Sequence, residues 1–95
     1  MVIAQVSIAP IGVGTSLSKY VKIALDVFRR ENIHFETNAM GTVIETEDVG
    51  ILFDVIKKAH EAVISTGVKR VITEIKIDDR RDKKATINTK LASLK

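Results

Sequence analysis

The stretch that decides the fold is VIAQVSIA, Val2 to Ala9, which predicts the first strand of a sheet. Its even-numbered residues are all apolar, whereas the odd-numbered set, Ile3, Gln5, Ser7 and Ala9, mixes apolar and polar side chains. Successive side chains of a strand point to opposite faces, so the even set predicts a core face. The odd set is too apolar for a plain solvent face and too polar for an interior. Such a surface is typical of one covered by another subunit around a small pocket.

The composition predicts one globular domain over residues 1–95, with 45% hydrophobic and 28% charged residues. A chain of this size buries only about 60–65% of its unfolded surface, so oligomerisation would help its stability. No apolar run approaches the roughly 20 residues of a membrane span. The start MVIAQVSIAP reads as a strand rather than a signal peptide, so we expect a cytoplasmic location.

Several kinds of chemistry are disfavoured by residue content. The absence of cysteine excludes disulfides, thiolate zinc sites and cysteine nucleophiles. The two histidines are too far apart for a metal-binding HExxH motif, so we expect no metal site and no resident cofactor. A net charge of +3 is ordinary for a soluble domain and supports nucleic-acid binding only weakly.

Apolar spacing along the chain predicts six main elements. After the first strand these are a helix of about fifteen residues capped by Ser16, strands at 33–40 and 42–47, a helix at 47–66 capped by Thr46, and a strand at 68–78. The order is typical of an α+β, ferredoxin-like βαββαβ fold, in which two helices cover one face of a four-stranded antiparallel sheet. Right-handed crossovers place the first and third strands in its centre.

The last part of the chain, residues 80–95, predicts a charged turn and a short helix from Thr86 that must dock to be stable. In the favoured, structural interpretation the run DDRRDKK, with Arg80 and Arg81, pairs its own charges or contacts a neighbouring subunit. In the other interpretation it binds an anion. His60 lies at the edge of an apolar helical stripe. It is interpreted as a boundary or interface residue rather than a catalytic base.

The uncovered face of the predicted sheet carries a carboxylate on a central strand, Glu45. Burying it under a partner would be costly unless a hydrogen-bond or charge partner is supplied. One hypothesis is therefore that Glu45 holds a cationic or amino-bearing small molecule, in which case Glu45→Gln weakens binding roughly ten- to a hundredfold. The alternative is that Glu45 is solvated or pairs with Lys76 across the sheet.

Five segments in order resemble the thiamine-binding-protein-like family, small proteins related to the YkoF type. They are SIAPIGVGTSLSKYV (7–21), NAMGTVIE (38–45), KKAHEAV (57–63), GVKRVITEIKIDDRRDK (67–83) and a late lysine, Lys90. The family often has proline where this chain has Asn38. The resemblance covers most of the chain.

The resemblance implies a non-catalytic protein that binds thiamine or its hydroxymethylpyrimidine portion in a pocket at the open sheet face or a subunit interface. It also implies a homo-oligomer, a dimer of dimers, formed by pairing of open sheet faces or edges. From the residues themselves we expect no nucleic-acid and no membrane partner. Carried over by position, the ligand-binding candidates are Ser7, Asn38, Met40, Thr42 and Glu45; the face argument adds Gln5.

Three other classes of function share features with this sequence. RNA-recognition modules share the element order but need aromatic side chains on the central strands, which this face lacks. An acylphosphatase resemblance would require an arginine in the loop after the first strand, and PIGVGTS has none. The closest alternative is a regulatory oligomer that senses a different small metabolite, which the sequence does not separate from the thiamine interpretation.

Overall fold

Alternating strands and amphipathic helices build a ferredoxin-like α+β domain in the computed structural model, which describes residues 1–95. Its elements are β1 (Val2–Pro10), α1 (Ser18–Arg30), β2 (His34–Asn38), β3 (Gly41–Thr46), α2 (Val49–Ile64), β4 (Val71–Asp79) and α3 (Ile87–Ala92). The strands pair antiparallel in the order β2-β3-β1-β4. The predicted fold and the central placement of β1 and β3 are confirmed.

The core lies between one face of the sheet and helices α1 and α2. As predicted, the even-numbered residues of β1 point into it. Its buried members are Val2, Ala4, Val6, Ala24, Val27, Phe28, Ile44, Leu52, Val55, Ile56 and Ala59. Burying each larger aliphatic or aromatic side chain contributes about 1.5–3 kcal/mol, so this layer holds the two helices on the sheet.

Both predicted helix caps were wrong. Helix α1 begins at Ser18 after Leu17, which makes no side-chain capping bond, rather than after Ser16. Helix α2 begins after Asp48, whose Oδ1 accepts a 2.8 Å hydrogen bond from Ile51 N–H. The predicted cap Thr46 belongs to β3 and donates its hydroxyl to the Asp48 carbonyl instead. A carboxylate two residues further along thus takes the capping position.

Helix α3 lies against the sheet face opposite α1 and α2. The sequence predicted a helix from Thr86; in the structure Thr86 is its N-cap, in a capping box with Thr89, and the helix begins at Ile87. Ile87 is buried, and Lys90 forms an ion pair with Asp78 of β4. These contacts dock a helix of six residues that would be marginal alone. None of the helices is long and apolar enough to cross a membrane.

Candidate functional site

A cleft opens where β1 continues beyond its neighbour β3. The last pair between these strands is Val6 with Thr42, whereas β1 runs on to Pro10 and stays paired with β4 throughout. The edge of β1 from residue 7 to 10 is therefore free on the β3 side. The β2–β3 turn and one side of α1, from Val21 to Phe28, enclose this free edge in a cavity of about 260 Å³.

The walls of the cleft are apolar and uncharged. Ten of its 15 lining residues are hydrophobic, and none is Asp, Glu, Lys, Arg or His. The apolar walls come from both layers: Ile8, Leu17, Val21, Leu25, Phe28 and Met40. Val21 and Met40 are 38% and 84% exposed, so they stand at the mouth. A neutral, flat ring suits such a site better than an ion does.

Asn38 places a polar side chain at this apolar cleft. Its Oδ1 accepts hydrogen bonds from the backbone N–H groups of Met40 at 2.8 Å and Gly41 at 3.2 Å. Both bonds fix the turn between β2 and β3, and they use only the oxygen of the amide. The Nδ2 group of Asn38 keeps its two donors for another partner.

The main chain of Ile8 adds a donor and an acceptor on the free edge. Ile11 N–H donates to the Arg70 carbonyl at 2.8 Å, which extends the β1–β4 register by one residue. Because main-chain groups of a strand alternate between its two edges, Ile8 directs its N–H and C=O away from β4. Pro10 has the same direction, where its missing N–H costs no β4 hydrogen bond. Ile8 thus offers one donor and one acceptor to the cleft.

The structure places four of the six predicted ligand residues at the cleft: Ser7, Asn38, Met40 and Thr42. Ser7 is exposed, while Thr42 is buried on the helix side with its hydroxyl 3.1 Å from that of Thr37. Gln5 lies outside, in an adjoining hollow of about 400 Å³ that also contains Ser7 and Met40. The two cavities therefore meet at Ser7 and Met40.

Glu45 has contacts of its own, away from the cleft. Its Oε1 accepts the N–H of Ile87 at 3.1 Å and lies 3.8 Å from His34 Nε2. The side chain is only 10% exposed, so the solvated alternative is wrong. The alternative pairing with Lys76 is also wrong, because Glu45 lies opposite Ile3 and His34 in the sheet. A ligand would reach this carboxylate only by displacing the start of α3.

Comparison with known proteins identifies the family of this chain. A family model described as Thiamine-binding protein matches residues 4–95. The chain belongs to this family. The resemblance inferred from the sequence is confirmed, and the family match spans the cleft and α3 together.

Relatives in this family are similar over nearly their whole length. The UPF0045 protein MJ1052 of Methanocaldococcus jannaschii is 47% identical over 93 residues, covering 98% of this chain and 91% of the relative. The UPF0045 protein YqgV of Bacillus subtilis is 44% identical over 99 residues, covering 99% and 94%.

Solved structures agree on the fold. The crystal structure of MJ1052 has a TM-score of 0.90 and covers 98% of this chain and 94% of that one. A Thermotoga maritima protein, TM0486, described as a candidate for thiamine biosynthesis or salvage, has a TM-score of 0.81 at 17% identity, covering 99% and 98%. At that identity, the second likeness shows the fold alone.

The remaining sequence candidates have structural roles in this family member. Arg80 binds Asp82 through two hydrogen bonds, and Arg81 binds Asp79 in the same way. Internal pairing, one of the two structural interpretations of the charged run, is confirmed. His60 Nδ1 lies 2.7 Å from the Thr73 hydroxyl and joins α2 to β4.

Sequence reasoning missed the main-chain groups of Ile8 and the walls contributed by Leu17 and Val21. The apolar pattern of β1 assigns the side chain of Ile8 to the core, but it does not indicate whether its main-chain N–H and C=O groups are paired. One signal was available, because a first strand predicted over eight residues, 2–9, cannot be fully paired by a third strand predicted over six, 42–47. Locating that edge needs the strand register.

Proposed function

We propose that this protein binds the hydroxymethylpyrimidine portion of thiamine in the cleft at the end of β1, without catalysing a reaction. The supporting observation is an uncharged cleft of about 260 Å³ that contains the free main-chain groups of Ile8, in a chain of the thiamine-binding family. This volume is slightly below the usual range for drug-sized ligands, so it suits one small ring.

An aminopyrimidine matches the polar groups of the cleft. Its ring nitrogen accepts a hydrogen bond and its exocyclic amino group donates one, which complements the N–H and C=O of Ile8. In the proposed pose the Asn38 amide donates to a second ring nitrogen, and Ser7 binds the substituent at the mouth. The cationic thiazolium lies outside, because no wall residue is charged.

The test is calorimetric titration of thiamine, thiamine phosphates and the free aminopyrimidine. Because the pyrimidine makes the contacts, thiamine and the free pyrimidine should bind with affinities within about tenfold of each other. Asn38→Asp keeps the oxygens that hold the turn but loses the amide donors, so it should weaken binding about three- to tenfold. Asn88→Asp makes the same change on exposed α3 and should have no effect.

Two further variants locate the ligand. Val21→Phe fills the mouth of the cleft and should abolish binding, whereas Glu45→Gln should leave the affinity unchanged. Loss of affinity in Glu45→Gln, together with normal affinity in Val21→Phe, would move the ligand to the open face. If no thiamine compound binds, the proposal fails, and a sensor of a different metabolite becomes the better interpretation. The homotetramer and the cytoplasmic location stay predictions.

A further inference from the structure

A second hollow adjoins the cleft on the open face of the sheet. Its volume is about 400 Å³, and the two cavities meet at Ser7 and Met40. The floor of the hollow comes from β1 and β4, and Met40 of the β2–β3 turn stands at one side. Glu74 and Lys76 are the only charged residues among those that line it. A ligand that fills the uncharged cleft and extends past Ser7 therefore reaches a charged surface.

The strand register fixes the order of these two charges. Glu74 lies opposite Ser7, at the junction with the cleft. Lys76 lies opposite Gln5, farther from the cleft. Directly opposed side chains of an antiparallel pair point to the same face, and positions two residues apart along a strand are about 7 Å apart. Beyond the cleft, a bound molecule thus meets a carboxylate first and an ammonium group second.

Neither charge is neutralised within the chain. The side chains of Glu74 and Lys76 are exposed, and they form no ion pair with each other or with another residue. The next charged residue along this face of β4, Asp78, is paired with Lys90. On the cleft side, the preceding residue of the same face is the apolar Ile72. Both charges are therefore available to a ligand.

We infer, on the basis of the proposed function, that the adjoining hollow binds the thiazolium and phosphate groups of thiamine monophosphate. With the pyrimidine in the cleft, the methylene bridge lies at Ser7 and the cationic thiazolium lies beside the Glu74 carboxylate. The hydroxyethyl chain then places the phosphate beside the Lys76 ammonium group. Neutral, positive and negative groups along the ligand thus face neutral, negative and positive surfaces of the protein. Lys76 selects the phosphate ester over thiamine itself.

The expected preference is moderate because both charges are exposed. An exposed pair of opposite charges contributes little to affinity, whereas a charge-assisted hydrogen bond to a phosphate contributes more. Thiamine monophosphate should therefore bind roughly three- to tenfold more tightly than thiamine. Thiamine carries only the cation, so it should bind roughly two- to fivefold more tightly than the free aminopyrimidine.

Calorimetric titration of thiamine monophosphate, thiamine and the free aminopyrimidine tests these contacts. Lys76→Gln should reduce the affinity for the monophosphate to that for thiamine. Lys76→Glu should make the monophosphate the weaker of the two, because like charges then lie side by side. Glu74→Gln should weaken both thiamine compounds roughly two- to fivefold relative to the free pyrimidine, since both contain the thiazolium.

Matched controls lie on α2, away from both cavities. Lys57→Gln and Glu61→Gln make the same changes at exposed positions and should keep the wild-type order of affinities. Far-ultraviolet circular dichroism checks that each variant is folded.

The free pyrimidine separates failure of this assignment from failure of the proposed function. If it binds while the monophosphate binds no more tightly than thiamine, the assignment of the hollow is overturned and the cleft site stands. A preference for the monophosphate that persists in Lys76→Gln also overturns the assignment. If none of the compounds binds, the proposed function fails and the assignment fails with it.

Salt dependence provides a second measurement on the unmodified chain. Between about 0.01 M and about 1 M salt the Debye length falls from about 30 Å to about 3 Å. In mildly alkaline buffer the free pyrimidine is uncharged, so its affinity should change little over this range. The preference for the monophosphate should shrink because exposed charges produce it. A preference that is constant with salt contradicts the role given to Lys76.

Discussion

At the scale of single residues, Glu45 gains its partner from a distant part of the chain. Its carboxylate accepts the N–H of Ile87, 42 positions later, while its side chain is nearly buried. Glu45→Ala should lower the free energy of unfolding by about 1.5–3 kcal/mol, because a charge-assisted hydrogen bond is lost. Urea unfolding measures this. Glu36→Ala, at an exposed position on the same face, is the control, and an equal loss in both variants would contradict the role given to Glu45.

At the scale of elements, α3 depends on its docking contacts. Removal of residues 86–95 should lower the free energy of unfolding by about 2–4 kcal/mol, since Ile87 is no longer buried and the Glu45 bond is lost. In the shortened chain Glu45→Ala should have little further effect. Unfolding of all four chains gives this double-mutant cycle. Additive losses would show that Glu45 acts elsewhere.

The elements themselves were predictable to different degrees. The sheet order follows from two patterns: strict alternation in β1 and β4, and apolar stripes on α1 and α2. Few topologies bury the apolar faces of both the strands and the helices. The sequence does not determine the N-cap of α2, since Thr46 and Asp48 are both good capping residues. Four cleft residues were predicted through the family resemblance. The Ile8 edge and the Glu45–Ile87 bond depend on register and on long-range packing, which local patterns do not contain.

At the scale of the whole molecule, exposed ion pairs make a small contribution to the dependence of stability on pH. Hydrogen bonds from Arg81 and Arg80 lower the pKa values of Asp79 and Asp82 below the usual 3.8. A lowered carboxyl pKa stabilises the fold above the unfolded-state value, and this contribution is lost as the pH falls through the lowered values. Hydrogen bonds from Lys58 to Glu31 and Asp54 raise the lysine pKa above 10.5, so that contribution is lost only in strong alkali.

The loss of stability at low pH can be measured by differential scanning calorimetry. The double variant Asp79→Asn and Asp82→Asn should show a slightly smaller fall in melting temperature between about pH 5 and pH 2 than the wild type. Glu61→Gln, at an exposed position without an ion pair, should follow the wild type. An identical fall in the double variant would show that these pairs do not contribute to acid stability.

In the proposed site, the extension of β1 beyond β3 would assign ligand anchoring and ligand selectivity to different groups. The groups that would anchor a ring belong to the backbone of Ile8, so most side-chain replacements at that position leave them in place. The shape of the opening depends instead on Val21 and Met40, which stand at the mouth. Changes at those two positions could then widen or narrow the range of rings admitted while the anchor persists. Such a scaffold would be a convenient starting point for engineered receptors of small heterocycles.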